Sequence, residues 1–117
     1  MDIKSDRSNE MIIRALDTLS KQIDTSNKCD DEKEILKLLI KRMKEYFLKR
    51  LSSLSNSSVE KLFNLQSYMT GIIVDINSSL KDEANLVAYA EKMNNVLRDK
   101  ELTHLVNKQK LLKYKLR

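Results

Sequence analysis
The stretch "DEKEILKLLIKRMKEYFLKRLSSL", residues 31–54, decides the fold. It holds no glycine and no proline, and its apolar residues recur every three or four positions instead of every second one. That is the period of a helix. At about 100° per residue, Leu36, Leu39, Ile40, Met43, Phe47, Leu51 and Leu54 fall within one arc. Leu38 and Leu48 fall outside it, and Lys37, Lys41 and Lys44 form a ridge on one flank. The helix is therefore apolar over more than one face. It either sits centrally in a bundle or offers a second face to a partner. Asp31 followed by Glu34 predicts a capping box at its start.

The same period runs outward in both directions. Upstream, Ile12, Leu16, Leu19 and Ile23 mark a helix starting near Ser8 and ending in "TSNKCDD", residues 25–31. Small polar side chains there compete for backbone hydrogen bonds. Downstream, "SLSNSS" (53–58) separates the helices, and Ser57 with Glu60 predicts a second capping box. The third helix places Val59, Leu62, Leu65, Met69, Ile72, Ile73, Ile76 and Leu80 on its buried arc, with Gly71 opposite, near Ser67 and Ser78. Gly71 reads either as a tolerated exposed glycine or as a place where another helix comes close.

"NSSLKDE" (77–83) predicts a break, after which Leu86, Ala90, Met93 and Leu97 form a fourth stripe. The next stripe, Leu102, Leu105, Val106, Leu112 and Leu116, is out of step with it. Leu97 to Leu102 is five residues, which matches neither three nor four. The apolar face jumps at "RDKE" (98–101), so the chain either bends there or starts a fifth helix capped by Asp99. No proline and one glycine leave no turn chemistry for a sheet. The expectation is an all-α protein: one domain over residues 1–117, an antiparallel bundle of four to five helices, the last bent or separate.

Charge is unevenly placed. The chain carries 22 basic and 17 acidic residues. Residues 102–117 hold Lys108, Lys110, Lys113, Lys115 and Arg117 and no acid, so this basic C-terminal helix accounts for the whole net charge of +5. A lone cysteine, Cys29, cannot form an internal disulfide, and the polar start lacks a signal-peptide core. No apolar run approaches the roughly 20 residues of a membrane span. These features predict a cytoplasmic or otherwise intracellular chain. One histidine and one cysteine without ligand spacing, and no glycine-rich loop, predict no metal site and no cofactor.

Two surfaces remain as binding candidates. The tail "NKQKLLKYKLR" (107–117) interleaves lysines with apolar residues. Lys108, Lys110, Lys113, Tyr114, Lys115 and Arg117 would meet nucleic acid or another anionic surface, or simply be the solvated face of a last bundle helix. The apolar and small positions left over from the core, Leu38, Leu48, Phe63, Ser67, Gly71 and Val74, would meet another protein or a second copy of this chain. The primary expectation is a non-enzymatic interaction module or a subunit of a helical assembly.

The stretch "RDKELTH" (98–104) holds the one histidine. Arg98, Asp99 and His104 resemble the active-site motif of the HEPN helical-bundle ribonucleases. That resemblance implies an arginine and a histidine that stabilise charge and move protons at a scissile phosphate, usually across a dimer interface. On one continuous helix Arg98 and His104 would point about 120° apart. Only a bend would bring them together, and the other reading is a polar seam between two helices. In size, architecture and composition over its middle, the chain also resembles the bacteriocin immunity proteins of lactic acid bacteria, which implies a protective role.

Overall fold
The computed structural model describes residues 6–82 and 86–115, with side chains to residue 111. Five helices follow one another: α1 (Arg7–Thr25), α2 (Asp30–Ser53), α3 (Val59–Ser79), α4 (Leu86–Leu97) and α5 (Lys100–Lys115). No strand occurs among the described residues. The protein is an all-α bundle, and residues 86–115 form two helices.

α2 is the axis of the bundle: it packs against each of the other four helices. Its residues Ile35, Leu36, Leu39, Ile40, Met43, Phe47 and Leu51 are buried, more than any other helix contributes. α1 adds Ile12, Leu16, Leu19 and Ile23, α3 adds Leu62, Met69, Ile72 and Ile76, and Leu86, Ala90, Leu102 and Val106 close the core. Burying each such side chain contributes roughly 1.5–3 kcal/mol, which makes packing on α2 the main source of stability.

Polar contacts report how the helices are laid. Lys44 pairs with Asp17 at 3.0 Å and Lys37 with Asp24 at 2.9 Å, so α1 runs antiparallel to α2 and meets two lysines of the ridge. Exposed pairs like these add little stability. Asn9, 2% exposed, accepts from Gln66 Nε2 at 2.8 Å. Gln22 and Thr25 share a groove with Asn77 and Leu80 at the other end, so α1 and α3 run parallel. Lys28 donates to the Asp82 carbonyl at 2.7 Å, and Arg42 meets Asp99 at 2.9 Å, so α4 runs in the direction of α2. α5 then folds back along α4, with Asn94 donating to Thr103 at 2.7 Å and Lys110 paired with Glu91.

Helix starts depart from the sequence expectation. α1 is capped by Asp6, whose carboxylate accepts from the Ser8 amide at 2.8 Å. α2 begins one residue earlier than its expected cap, with Cys29 at the N-cap and no side-chain cap bond. The Asp31–Glu34 box therefore does not form, and Asp30, Asp31 and Glu32 act on the helix dipole from the first turn. The Ser57–Glu60 box is also absent. Ser58 stands at the N-cap of α3, and Ser55 bonds Ser57 and Ser58 at 3.0 and 2.8 Å, which occupies those hydroxyls within the turn. Val59, expected inward, is 62% exposed. It is the first residue of α3 and lies about 100° from the centre of the buried arc.

Candidate protein-docking face
Between Leu62 and Val74, α3 carries no charged residue, in a chain whose residues are 33% charged. One side of that run is core: Leu62, Met69 and Ile72 are buried. The opposite side faces solvent. There Phe63 is 67% and Val74 55% exposed, with exposed Ser67, Thr70 and Gly71 between them. A Cβ built on Gly71 would meet nothing within 4 Å. The glycine is therefore not an approach point for another helix of this chain, and the space above it is open.

Of the other expected interface residues, Leu48 is 43% exposed on α2. Leu38 is placed differently. It is half-buried and packs against the core. Arg42, one turn on along the same side of α2, meets residues of the α4–α5 corner. The Leu38 side of α2 is thus used inside the protein, while Leu48 stays in solvent.

Flanking the α3 face are two partly buried tyrosines. Tyr68 packs edge-on against Tyr46, centroids 6.3 Å apart, and Arg50 lies 5.3 Å over the Tyr46 ring. The Tyr68 hydroxyl is buried without a hydrogen-bond partner among the described residues. Burial, reinforced by Tyr46, raises its pKa. The Tyr89 hydroxyl lies 3.3 Å from Asp75 Oδ2, and burial followed by the Asp75 charge raises its pKa well above the ordinary value. A phenol held neutral in the fold costs nothing below the unfolded pKa of about 10 and destabilises the fold as pH rises above it. Tyr89→Phe is therefore expected to flatten the fall of Tm between about pH 9.5 and 11 relative to wild type, as thermal melts across that range would show.

The corner at "RDKELTH" is built as a joint. Arg98 closes α4 in the left-handed region, at φ 50, with its amide donating to the Asn94 carbonyl at 2.7 Å. Asn94 Oδ1 accepts the Asp99 amide at 2.9 Å. Asp99 Oδ2 then caps α5 by accepting the Leu102 amide at 2.9 Å. Its other oxygen lies 2.9 Å from Arg42 Nε, a charge contact off the N–H direction rather than an aligned hydrogen bond. Arg42 also reaches Glu101 at 2.8 Å and Glu45 at 3.2 Å. Partial burial opposes its charge, but Asp99, Glu45 and Glu101 more than offset that and raise its pKa.

Sequence reading found Asp99 as the cap but did not single out Arg42, whose carboxylates at Asp99 and Glu101 lie far along the chain. Arg98 and His104 are both exposed, and neither side chain makes a hydrogen bond or ion pair among the described residues. A left-handed non-glycine residue carries about 1 kcal/mol of strain, partly cancelled in exchange for glycine's looser unfolded chain. Arg98→Gly is accordingly expected to raise stability by up to about 1 kcal/mol in urea titrations.

On α5, Lys108 is exposed, Lys110 is paired with Glu91, and Leu111 is 63% exposed. The side chains of Lys113, Tyr114 and Lys115, and Arg117 as a whole, lie outside the described residues. An open groove of about 810 Å³ between the α1–α2 turn and the end of α3 exposes Cys29. Among the described residues no cluster of three or more His, Cys, Asp or Glu is arranged to hold a metal ion, and no helix is long and apolar enough to cross a membrane. Comparison with family models, curated proteins and solved structures returned no match.

Proposed function
We propose that this chain is a non-enzymatic interaction module that docks on protein through the outward face of α3. The observation carrying this reading is the uncharged run from Leu62 to Val74, with Phe63 and Val74 left in solvent on the side away from the core. Interface centres are depleted in charge and enriched in aromatic residues, and an uncharged helix face with exposed Phe63 and Val74 at either end of small residues suits association.

The test is a tagged purification at low salt, wild type against Phe63→Glu. Phe63 is exposed, so its replacement leaves the core untouched. The expected result is a stoichiometric protein, a second copy included, retained by wild type and lost with Phe63→Glu, while helix content is unchanged. Association that is the same in both overturns the reading.

The basic tail supports a second reading, nucleic-acid binding through exposed Lys108 and its neighbours on α5. That reading expects copurifying nucleic acid that leaves with salt, indifferent to Phe63→Glu and weakened by Lys108→Gln.

A further inference from the structure
We infer that the α4–α5 corner is a hinge. α4 and α5 straighten into one helix, and α5 then fills the α5 seat of a second copy of this chain, in a reciprocal exchange. The observation that carries this is the residue at the bend. α4 ends at Leu97 and α5 starts at Lys100, so the joint is Arg98 and Asp99 alone. A left-handed residue closing a helix is usually glycine. Here it is Arg98, at φ 50, the one described residue with positive φ. Its Cβ strains that conformation, and arginine is a good helix former. The chain therefore holds its bend against local preference.

The backbone on each side of the joint already has the bonds of a continuous helix. The Arg98 amide meets the Asn94 carbonyl at 2.7 Å and the Thr103 amide meets the Asp99 carbonyl at 3.0 Å, each four residues back. Only the amides of residues 99–102 differ between bent and straight forms. In the bend, Asn94 Oδ1 accepts from the Asp99 amide and Asp99 Oδ2 from the Leu102 amide. In a straight helix the carbonyls of Asn95 and Arg98 would accept them instead. Neither form leaves these two donors unsatisfied.

One chain cannot accommodate the straight form. His104 would stand about five turns beyond Leu86 and in line with it, and Lys108 about five beyond Ala90. Those polar residues would extend the inward line of α4, while Leu102 and Val106 would point about 160° away from it. Both are now buried, at 0% and 2% exposed, where α5 packs on α2 and α4. A lone straightened chain would bare them and leave that seat empty. Two straightened chains remove both defects, because each lays Leu102 and Val106 in the seat of the other. The exchange is reciprocal and closes as a dimer. Short hinges under strain invite it.

The Lys110–Glu91 ion pair joins α5 to α4 and so reports which chain supplied α5. A mixture of isotopically light and heavy chains, at about 1 mM in total, is warmed to just below Tm so that α5 detaches, then cooled. Sedimentation is expected to show a species of twice 13.7 kDa. Carbodiimide coupling of that species is expected to yield Glu91–Lys110 crosslinked peptides that carry both labels. Each dimer holds two joints, so a hinge variant acts twice. Arg98→Gly relaxes the bend and weakens a straight helix, and is expected to lower the association constant at least about tenfold, while Tm stays level or rises. Asn94→Ala removes a side chain that holds the bend, and is expected to raise association by about tenfold although it lowers Tm.

A chain that stays at 13.7 kDa after this treatment overturns the exchange, as does a dimer whose Glu91–Lys110 links join like labels only. A dimer whose association does not fall with Arg98→Gly overturns the hinge. An exchanged dimer persists in Phe63→Glu, so its formation or absence leaves the α3 docking reading to its own test.

Discussion

Phe47→Ala is expected to lower the unfolding free energy by about 3–5 kcal/mol, a large part of the roughly 5–15 kcal/mol that holds a domain together. Phe47 is fully buried in the second half of α2, and it is the largest of the described side chains with no solvent contact. Its removal leaves a cavity where α2 packs on its neighbours. The surrounding helices relax into such a void only in part, so lost transfer energy and lost dispersion contacts add. The expected drop in Tm is on the order of 10–25 °C. Leu48→Ala is the matched control. It sits one residue on but is 43% exposed, and it should cost less than about 1 kcal/mol. Since α2 touches every other helix, all five should melt together in the variant as in the wild type. Urea unfolding followed by circular dichroism reads both quantities. Similar losses at Phe47 and Leu48 would contradict the central placement of α2.

What the sequence made legible follows from the range over which each feature is decided. The buried faces of α1, α2 and α3 are sums over four or more side chains each, and one misplaced residue does not move such a face. Leu16, Leu39, Met43, Met69 and Ile76, all expected inward, are fully buried. The helix break was legible as a five-residue step between Leu97 and Leu102, and the joint falls inside it, at Arg98 and Asp99. Caps are decided by one turn and one competing hydrogen bond. The same box pattern failed at Asp31 because the helix is capped two residues earlier, at Cys29, and at Ser57 because neighbouring serines took the hydroxyls.

The candidate face was legible for a similar reason. Phe63 and Val74 are surplus to the buried arc of α3, and a surplus residue on a helix with one covered side has only solvent to face. Leu38 is half-buried against the core, whereas that logic assumes one covered side. α2 has two, and the second became visible only when Arg42, on Leu38's side of the helix, was found against Asp99 and Glu101. No local pattern encodes that meeting. Two arrangements thus share one chemistry of apolar residues beside charges: on α2 the Leu38 side is satisfied within the chain, and on α3 the outward side is left open.

Asp99→Ala is expected to cost about 1–2 kcal/mol as a lost N-cap, concentrated in α5 rather than spread over the bundle. Two functions end at that carboxylate. One oxygen satisfies the Leu102 amide and the other holds the charge of Arg42 across from α2. Leu102 is fully buried and Val106 nearly so, which means that loosening the first turn of α5 opens part of the core. Amide exchange in α5 should therefore accelerate about 5- to 30-fold, while exchange at the centre of α2 follows the smaller global change. Asp99→Asn separates the two functions. Asparagine retains a capping oxygen but no charge, so recovery of most of the loss assigns the effect to the cap, and a loss equal to that of alanine assigns it to Arg42. His104→Ala completes the comparison. His104 is exposed and without a polar contact among the described residues, so α5 exchange should be unchanged in that variant. A loss at His104 as large as at Asp99 would mean that the imidazole, not the Asp99–Arg42 contact, holds the corner together.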